Sequence, residues 1–190
     1  AGGFPIQNGG LIVQYMAQPI FQIFLGLNPA LFGLAMTIPR IWDAFTDPVM
    51  GRISDRTQSR YGRRRPYVFV GALAVALTFL TIWMVPQSMG DTGTFLWLTV
   101  GSVLFFTAFT VFSVPFNALV YEQTPDYHER TRLMFYLALF YNIGNLCVNW
   151  YVPATNWSGF ENPLAGARWI ALALALVVFL GMGILPAIFG

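Results

Sequence analysis

Long apolar stretches, separated by short polar or turn-forming segments, dominate the hydrophobic pattern of this chain. An α-helix needs about 20 mostly apolar residues to cross a hydrocarbon core roughly 30 Å thick. The pattern predicts six such spans, numbered one to six along the chain: residues 4–26, 30–51, 67–86, 94–121, 133–153 and 168–189. We therefore expect a bundle of six transmembrane helices.

Composition agrees with this pattern. The chain has 190 residues, of which 56% are hydrophobic and 9% charged, and its mean hydropathy is +0.60. The predicted fold class is an all-α membrane protein, with residues 1–190 forming one transmembrane domain. Because the chain begins at Ala1 and ends just after span six, we also expect it to be a fragment of a longer polypeptide.

The distribution of basic residues predicts the topology. All ten are arginines; six lie between spans two and three and two between spans four and five. Loops rich in arginine stay in the cytoplasm, so both ends of the chain should be cytoplasmic and the bundle should lie in the cytoplasmic membrane. A basic cluster beside a membrane also attracts anionic lipid, and we expect the lipid bilayer, not nucleic acid, as its partner.

Three charged residues interrupt span two. Arg40, Asp43 and Asp47 share one helix face because they are spaced by three and seven positions. Charged groups at this depth face a bundle interior or a water-filled cavity. One arginine cannot neutralise two carboxylates, so the surplus carboxylate needs a cation or a proton. We predict a coupling site at Asp43 and Asp47 with Arg40 as charge partner; the alternative is an Arg40–Asp43 pair that only locks helix packing.

Uncharged polar residues recur at helical spacing in spans one, four and five. They are explained either by hydrogen bonds between helices or by a cavity for a hydroxyl-rich solute, and three stripes together favour the cavity. The solute-binding candidates are Gln7, Gln14, Gln18, Ser113, Asn117, Asn142 and Asn145.

The loop after span two has an ordered set of charges and glycines. It predicts an ion-paired latch at the cytoplasmic ends of two helices, although surface ion pairs of this kind can also contribute little. The latch candidates are Gly51, Asp55, Arg56, Arg60, Gly62, Arg63, Arg64 and, at the end of span four, Glu122.

The string GRISDRTQSRYGRRRP (residues 51–66) resembles the motif that major facilitator superfamily transporters carry between helices two and three. Together with RIWDAFTDPVMG (residues 40–51), it resembles the glycoside-pentoside-hexuronide:cation symporters, the family of the melibiose permease. The resemblance implies the N-terminal half of a twelve-helix fold, with the C-terminal half as a missing partner. It also implies symport of a sugar or glycoside with Na⁺ or H⁺ by alternating access.

The resemblance implies roles for four residues. The two carboxylates of helix two that bind the coupling cation match Asp43 and Asp47, and the neighbouring polar ligand matches Thr46. The threonine ligand of helix four matches Thr110.

The positions that contact sugar depart from the family pattern. Ser113 stands where the melibiose permease has an aspartate, and Asn117 where it has a sugar-stacking tryptophan. The acidic sugar ligand of helix one aligns with Gln7, and the basic ligand of helix five falls near Ala138. The charged sugar clamp is therefore absent, and specificity for galactosides is not implied.

Two other classes of protein remain open at this point. A carrier of a lipid or amphipathic solute would use the same scaffold, and an apolar groove open to lipid would favour it. In a non-transporting scaffold, both carboxylates would have ion-pair or hydrogen-bond partners, and the bundle would have no central cavity. One His and one Cys weigh against common hydrolase and metal chemistry, so we predict a transporter with no enzyme activity and no cofactor, and no metal beyond Na⁺.

Overall fold

The computed structural model describes residues 3–57, 63–86, 88–122, 127–156, 160 and 162–182. This part of the chain is helical and contains no strand, which confirms the all-α fold class. The helices are α1 (Gly3–Ala17), α2 (Pro29–Arg56), α3 (Arg65–Trp83), α4 (Asp91–Glu122), α5 (Tyr127–Thr155) and α6 (Pro163–Leu174). Wider π-helical turns extend α1 over Gln18–Phe24 and α6 over Ala175–Met182.

Two of the described helices, Arg65–Trp83 and Asp91–Leu119, are long and apolar enough to cross a membrane by length and composition alone. They are α3 and most of α4. The other helices combine apolar faces with the polar and charged residues discussed above, or change to π-helical turns before their ends.

The same Asn-Pro device starts two helices. The side chain of Asn28 accepts a hydrogen bond from the Ala30 amide at 2.9 Å, and Pro29 occupies the first turn of α2. Asn162 accepts from the Ala165 amide at 2.8 Å, and Pro163 opens α6. An asparagine side chain satisfies an amide that the first turn leaves free, and proline has no amide to satisfy there.

The core lies where α3 meets α4, with α1 and α6 packed beside it. Large aromatic side chains fill this contact, and the rings of Phe79 and Trp83 lie 5.9 Å apart, edge to face. Phe79 also contacts Phe105 of α4 with ring centroids 5.7 Å apart. Because these rings are buried, they fix how α4 is seated in the bundle.

Arg168 ties α6 to the end of α3. Its Nε donates to the carbonyl oxygen of Trp83 and its Nη2 to that of Val85, each at 3.1 Å. Carbonyls at a helix C-terminus have no partner within the helix, and a cation there also interacts favourably with the negative end of the helix dipole. The arginine therefore closes one end of the α3–α6 contact.

Candidate functional site

A cavity of about 250 Å³ lies between α1, α2 and α4. It brings together the three charges predicted in span two and two polar candidates of span four. We call it the charged cavity; its lining residues are Gly10, Leu11, Arg40, Asp43, Asp47, Phe106, Phe109, Thr110 and Ser113.

Asp47 is held by α4. The hydroxyl of Thr110 donates a hydrogen bond of 2.8 Å to Asp47 Oδ1, across 63 positions of sequence. A hydrogen bond to a charged acceptor is stronger than one between neutral groups, so this contact fixes one carboxylate oxygen at the wall of the cavity.

Asp43 lies one turn away with a different environment. Its Oδ1 atom is buried and, within the described part of the chain, has no hydrogen-bond partner. A buried carboxylate oxygen without a partner is costly. A cation or a proton at this atom would remove that cost.

Arg40 does not form an ion pair with either carboxylate among the described residues. Its guanidinium carbon instead lies 4.9 Å from the centroid of the Phe106 ring, within the range of a cation–π contact. The direct Arg40–Asp43 pair considered from the sequence is therefore not the arrangement in this structure, although both residues line the same cavity.

Phe106 was not identified from the sequence. The chain has 18 phenylalanines, and the composition of the sequence does not distinguish the one at position 106 from the others. One signal was present: Phe106 precedes Thr110 by four positions, which puts the two on the same face of α4.

Thr46 lies elsewhere. Its hydroxyl is 3.3 Å from the Trp42 carbonyl oxygen and 3.5 Å from that of Asp43, so it hydrogen bonds within its own helix. It lines a separate groove on α2 and α4 instead of the charged cavity. Its assignment as a cation ligand stays a prediction.

That separate groove is apolar and measures about 390 Å³. Thr110 lines both it and the charged cavity, so the two adjoin at this residue. Phe45, on the groove wall, is 67% exposed. We call it the apolar groove; its lining residues are Trp42, Phe45, Thr46, Val49, Met50, Ile53, Thr107, Thr110 and Val111.

A third cavity, of about 230 Å³, adjoins the charged cavity on its other side. Arg40 and Phe106 line both of them. Of the predicted solute ligands in span one, Gln14 lines this third cavity, which we call the side cavity; its lining residues are Val13, Gln14, Met36, Thr37, Arg40 and Phe106.

The remaining polar candidates are not gathered around these cavities. Gln18 is exposed and Asn117 half-buried, and neither lines one of the three cavities. The Asn142 side chain donates to the backbone carbonyl of Ala138 at 2.7 Å, and the backbone carbonyl of Asn145 accepts from the Asn149 side chain at 3.2 Å. Both contacts therefore stay within α5. The side chain of Gln7 lies outside the described part.

Comparison with known proteins agrees with the resemblance found in the loop after α2. The family model for "MFS/sugar transport protein" matches residues 1–189. The chain belongs to this family.

Several relatives of this MFS chain are named as symporters. An uncharacterized symporter of Synechocystis sp. is 34% identical over 139 residues, 70% of this chain and 25% of that protein. The sodium-dependent lysophosphatidylcholine symporter 1-A of Danio rerio is 32% identical over 130 residues, 68% of this chain and 24% of that protein. A putative glycoside/cation symporter of Escherichia coli is 28% identical over 149 residues, 78% and 31% of the two chains.

The chain spans about a quarter of the length of the first of these curated relatives. Membership of the MFS family makes it a multi-pass membrane protein of a transporter family.

The predicted latch segment of this MFS chain contains an ion pair. Arg64 Nη2 donates to Asp55 Oδ1, with Arg64 buried and Asp55 exposed. This hydrogen bond and the charges of Arg64 and Arg63 hold the pKa of Asp55 below its ordinary value. Beside it, the hydroxyls of Thr57 and Tyr67 are 2.7 Å apart. The end of α2 is thereby joined to the start of α3.

The other latch candidates have varied positions. Gly51 lies within α2, Arg56 is its last residue, and Arg63 is exposed before α3. Arg60 and Gly62 lie outside the described residues, as does the side chain of Glu122 at the end of α4. Their part in a latch stays a prediction.

Acid should weaken the Asp55–Arg64 pair. Because the folded-state pKa of Asp55 is lower than the ordinary value of 3.8, its stabilisation is complete well above pH 3.8 and is lost as pH falls through the lower, folded value. We expect Asp55→Asn to lower the thermal midpoint of the detergent-solubilised protein at pH 7, and this difference to vanish in acid. Asp91→Asn, at the exposed start of α4, is the control. A difference that does not change with pH would contradict an ionic origin.

Proposed function

We propose that this chain is the cation-binding N-terminal half of a symporter that moves a sugar or glycoside together with Na⁺ or H⁺ by alternating access. The observation that supports it most is the buried Oδ1 of Asp43, which has no hydrogen-bond partner among the described residues and lies in a cavity with a second carboxylate. The bundle lies in the cell membrane with both ends of the chain cytoplasmic, and it works with the lipid bilayer and a C-terminal half.

The charges of the cavity favour a single coupling ion. Asp43 and Asp47 contribute two negative charges and Arg40 one positive charge, which leaves a net charge of −1. One monovalent cation or one proton makes the cluster neutral. Since net charge is costly at membrane depth, we propose one coupling ion bound at this cluster in each transport cycle.

Asp43, Asp47 and Thr110 have different roles in binding the ion. Asp43 supplies an oxygen free of hydrogen bonds, and oxygen atoms are the ligands that hard cations prefer. Thr110 holds Asp47 in position beside it. The bound ion stabilises the conformation in which both carboxylates face it, and a ligand that favours one of two conformations shifts the population towards it.

A second candidate function has an observation of its own. The apolar groove adjoins the charged cavity at Thr110, so one solute with a polar head and an apolar tail could occupy both. We therefore also propose a carrier of amphipathic solutes as the alternative. Relatives named as lysophosphatidylcholine symporters support it.

Uptake by the full-length protein in proteoliposomes tests both proposals. Radiolabelled methyl glycosides and lysophosphatidylcholine are offered in turn with an inward Na⁺ gradient, an inward proton gradient, or neither. We expect one gradient to accelerate uptake of one solute class. Glycoside uptake supports the sugar symporter, and lysophosphatidylcholine uptake supports the alternative. Uptake that no gradient accelerates would refute cation coupling.

The substitutions Thr110→Val and Thr46→Val should affect cation affinity to different extents. Thr110→Val leaves Asp47 without its donor, and a lost hydrogen bond to a charged group is worth about 1.5–3 kcal/mol. We expect a roughly tenfold or larger rise in the Na⁺ or H⁺ concentration for half-maximal uptake. Thr46→Val, matched in shape, should change it less than about twofold because that hydroxyl bonds to its own helix. Equal effects would show that Thr46 joins the site when the cation binds.

A further inference from the structure

Two cavities share one wall, formed by Arg40 and Phe106. The charged cavity on one side holds both carboxylates, whereas the side cavity on the other holds Gln14 and Thr37. We infer that Phe106 is a positioning residue that keeps Arg40 in this wall, so that the carboxylates bind the cation and the side cavity binds an uncharged, hydroxyl-bearing group of the solute. This inference rests on the proposed cation-coupled transport.

The Phe106 ring is held rigidly. It is 5% exposed and meets the Phe105 ring edge to face, with centroids 5.4 Å apart and an interplanar angle of 84°. Phe105 is itself buried, and the ring of Phe109 stacks on it at 5.9 Å. An aromatic cluster of this kind leaves Phe106 little freedom to move away from the guanidinium.

Helix α1 also lies close to this pair. A Cβ atom at Gly10 would lie 3.4 Å from Phe106 Cε1 and 3.9 Å from Arg40 Nη2. Glycine therefore allows α1 to pass directly over the contact. The α1 backbone at Gly10 thus lies close to both the ring and the guanidinium, while Arg40 as a whole stays exposed.

The position of Arg40 decides what the carboxylates can bind. Arg40 and Asp43 are three positions apart on one helix, a spacing that permits a direct ion pair. Such a pair would occupy the carboxylate oxygen that has no partner in this structure. A contact with the face of a ring attracts the cation without using a carboxylate oxygen. Phe106 thus keeps the cation site available.

The side cavity has the chemistry for a neutral polar group. Gln14 offers an amide donor and an acceptor, and Arg40 offers only donors. The Thr37 hydroxyl donates to the Gly33 carbonyl at 2.8 Å, which leaves its lone pairs as acceptors. With one cation bound, the two carboxylates and Arg40 are already neutral, so an anionic group would restore a net negative charge. At about 230 Å³ the cavity takes one ring-sized group, not a whole large solute.

The test compares two affinities in the full-length protein. Cation affinity is measured as the Na⁺ concentration, exchanged for choline at constant ionic strength, that gives half of the thermal stabilisation; if protons are coupled, the midpoint pH of stabilisation replaces it. Solute affinity is the KM for a methyl glycoside. We expect Phe106→Leu to weaken cation affinity at least about tenfold, because Arg40 then pairs with Asp43, and Phe106→Tyr, which keeps the ring, to remain within about twofold of wild type.

Two further variants separate positioning from a general structural defect. Gln14→Leu should raise the KM about tenfold and leave cation affinity unchanged. In an Arg40→Gln background, Phe106→Leu should have no additional effect on cation affinity, because the residue that it positions is gone. Phe106→Met provides a second variant without a ring if Phe106→Leu does not fold.

The outcomes distinguish the inference from the function on which it rests. A wild-type protein that neither Na⁺ nor protons stabilise refutes the proposed function and this inference together. A wild-type protein that responds to its cation while Phe106→Leu and Phe106→Met bind it normally refutes the inference alone. A full effect of Phe106→Leu in the Arg40→Gln background also refutes it, because the ring would then act independently of Arg40.

Discussion

Asp47→Asn and Asp43→Asn should each abolish cation-driven uptake by the full-length protein, with losses of roughly 100-fold or more. Each substitution removes one of the two negative charges and leaves Arg40 opposite a single carboxylate. The cluster then has no net charge without a cation, so nothing in its electrostatics favours binding one. Asparagine keeps the size and one oxygen acceptor, so the expected loss arises from charge and not from packing.

Uptake measured with and without the driving gradient gives the decisive comparison. Both variants should retain some gradient-independent exchange of solute, because the side cavity is intact. Asp91→Asn, an exposed carboxylate in the first turn of α4 and outside the charged cavity, should behave as wild type. Gradient-driven uptake at wild-type rates in either cavity variant would show that the carboxylate in question is structural.

Gly71→Ala should disrupt the contact between α3 and α4. A Cβ atom at this position would lie 2.7 Å from both the nitrogen and the Cα atom of Phe112 and 2.9 Å from its Cβ. The obstructing atoms belong mainly to the backbone, so relief requires α3 and α4 to move apart along the core. Overpacking of a core costs about 1–3 kcal/mol and sometimes more, and we expect the upper part of that range or failure to accumulate.

Gly33→Ala is the matched control, since a Cβ atom there meets nothing within 4 Å. It should be neutral or stabilise α2 by up to about 1 kcal/mol, the difference in helix propensity between alanine and glycine. The free energy of unfolding in a detergent titration, together with the yield of folded protein, compares the two. Similar stabilities for both variants would contradict the close α3–α4 packing.

The positions of the charged residues could be predicted from sequence because their relation is local. The spacing of Arg40, Asp43 and Asp47 along one helix puts them on one face whatever surrounds it, and all three line the same cavity. The two threonines differ for the opposite reason. Resemblance assigns Thr46 and Thr110 the same role, but only the rotation of α2 against α4 decides which hydroxyl reaches a carboxylate.

The helices themselves were largely predictable, with differences at their ends. Long apolar runs required helices, but polar residues extend α2 to Arg56 and start α5 at Tyr127, beyond the predicted spans. Hydropathy cannot locate such ends, since a helix continues past the membrane wherever its backbone stays hydrogen-bonded. The π-helical turns after Ala17 were also not predicted, although Pro19 lies in them and cannot donate a backbone hydrogen bond.

Helix α2 contains two prolines, Pro39 and Pro48, next to Arg40 and Asp47. Each lacks the amide hydrogen that would bond to the carbonyl four positions earlier. The helix therefore loses one backbone hydrogen bond at the Ala35 carbonyl and another at the Ala44 carbonyl. Helices bend where such backbone hydrogen bonds are missing. We therefore expect α2 to bend more easily at the two prolines than in the charged turns between them. A tilt of the charged turns would then bend α2 at Pro39 and Pro48 and leave the hydrogen bonds between them intact.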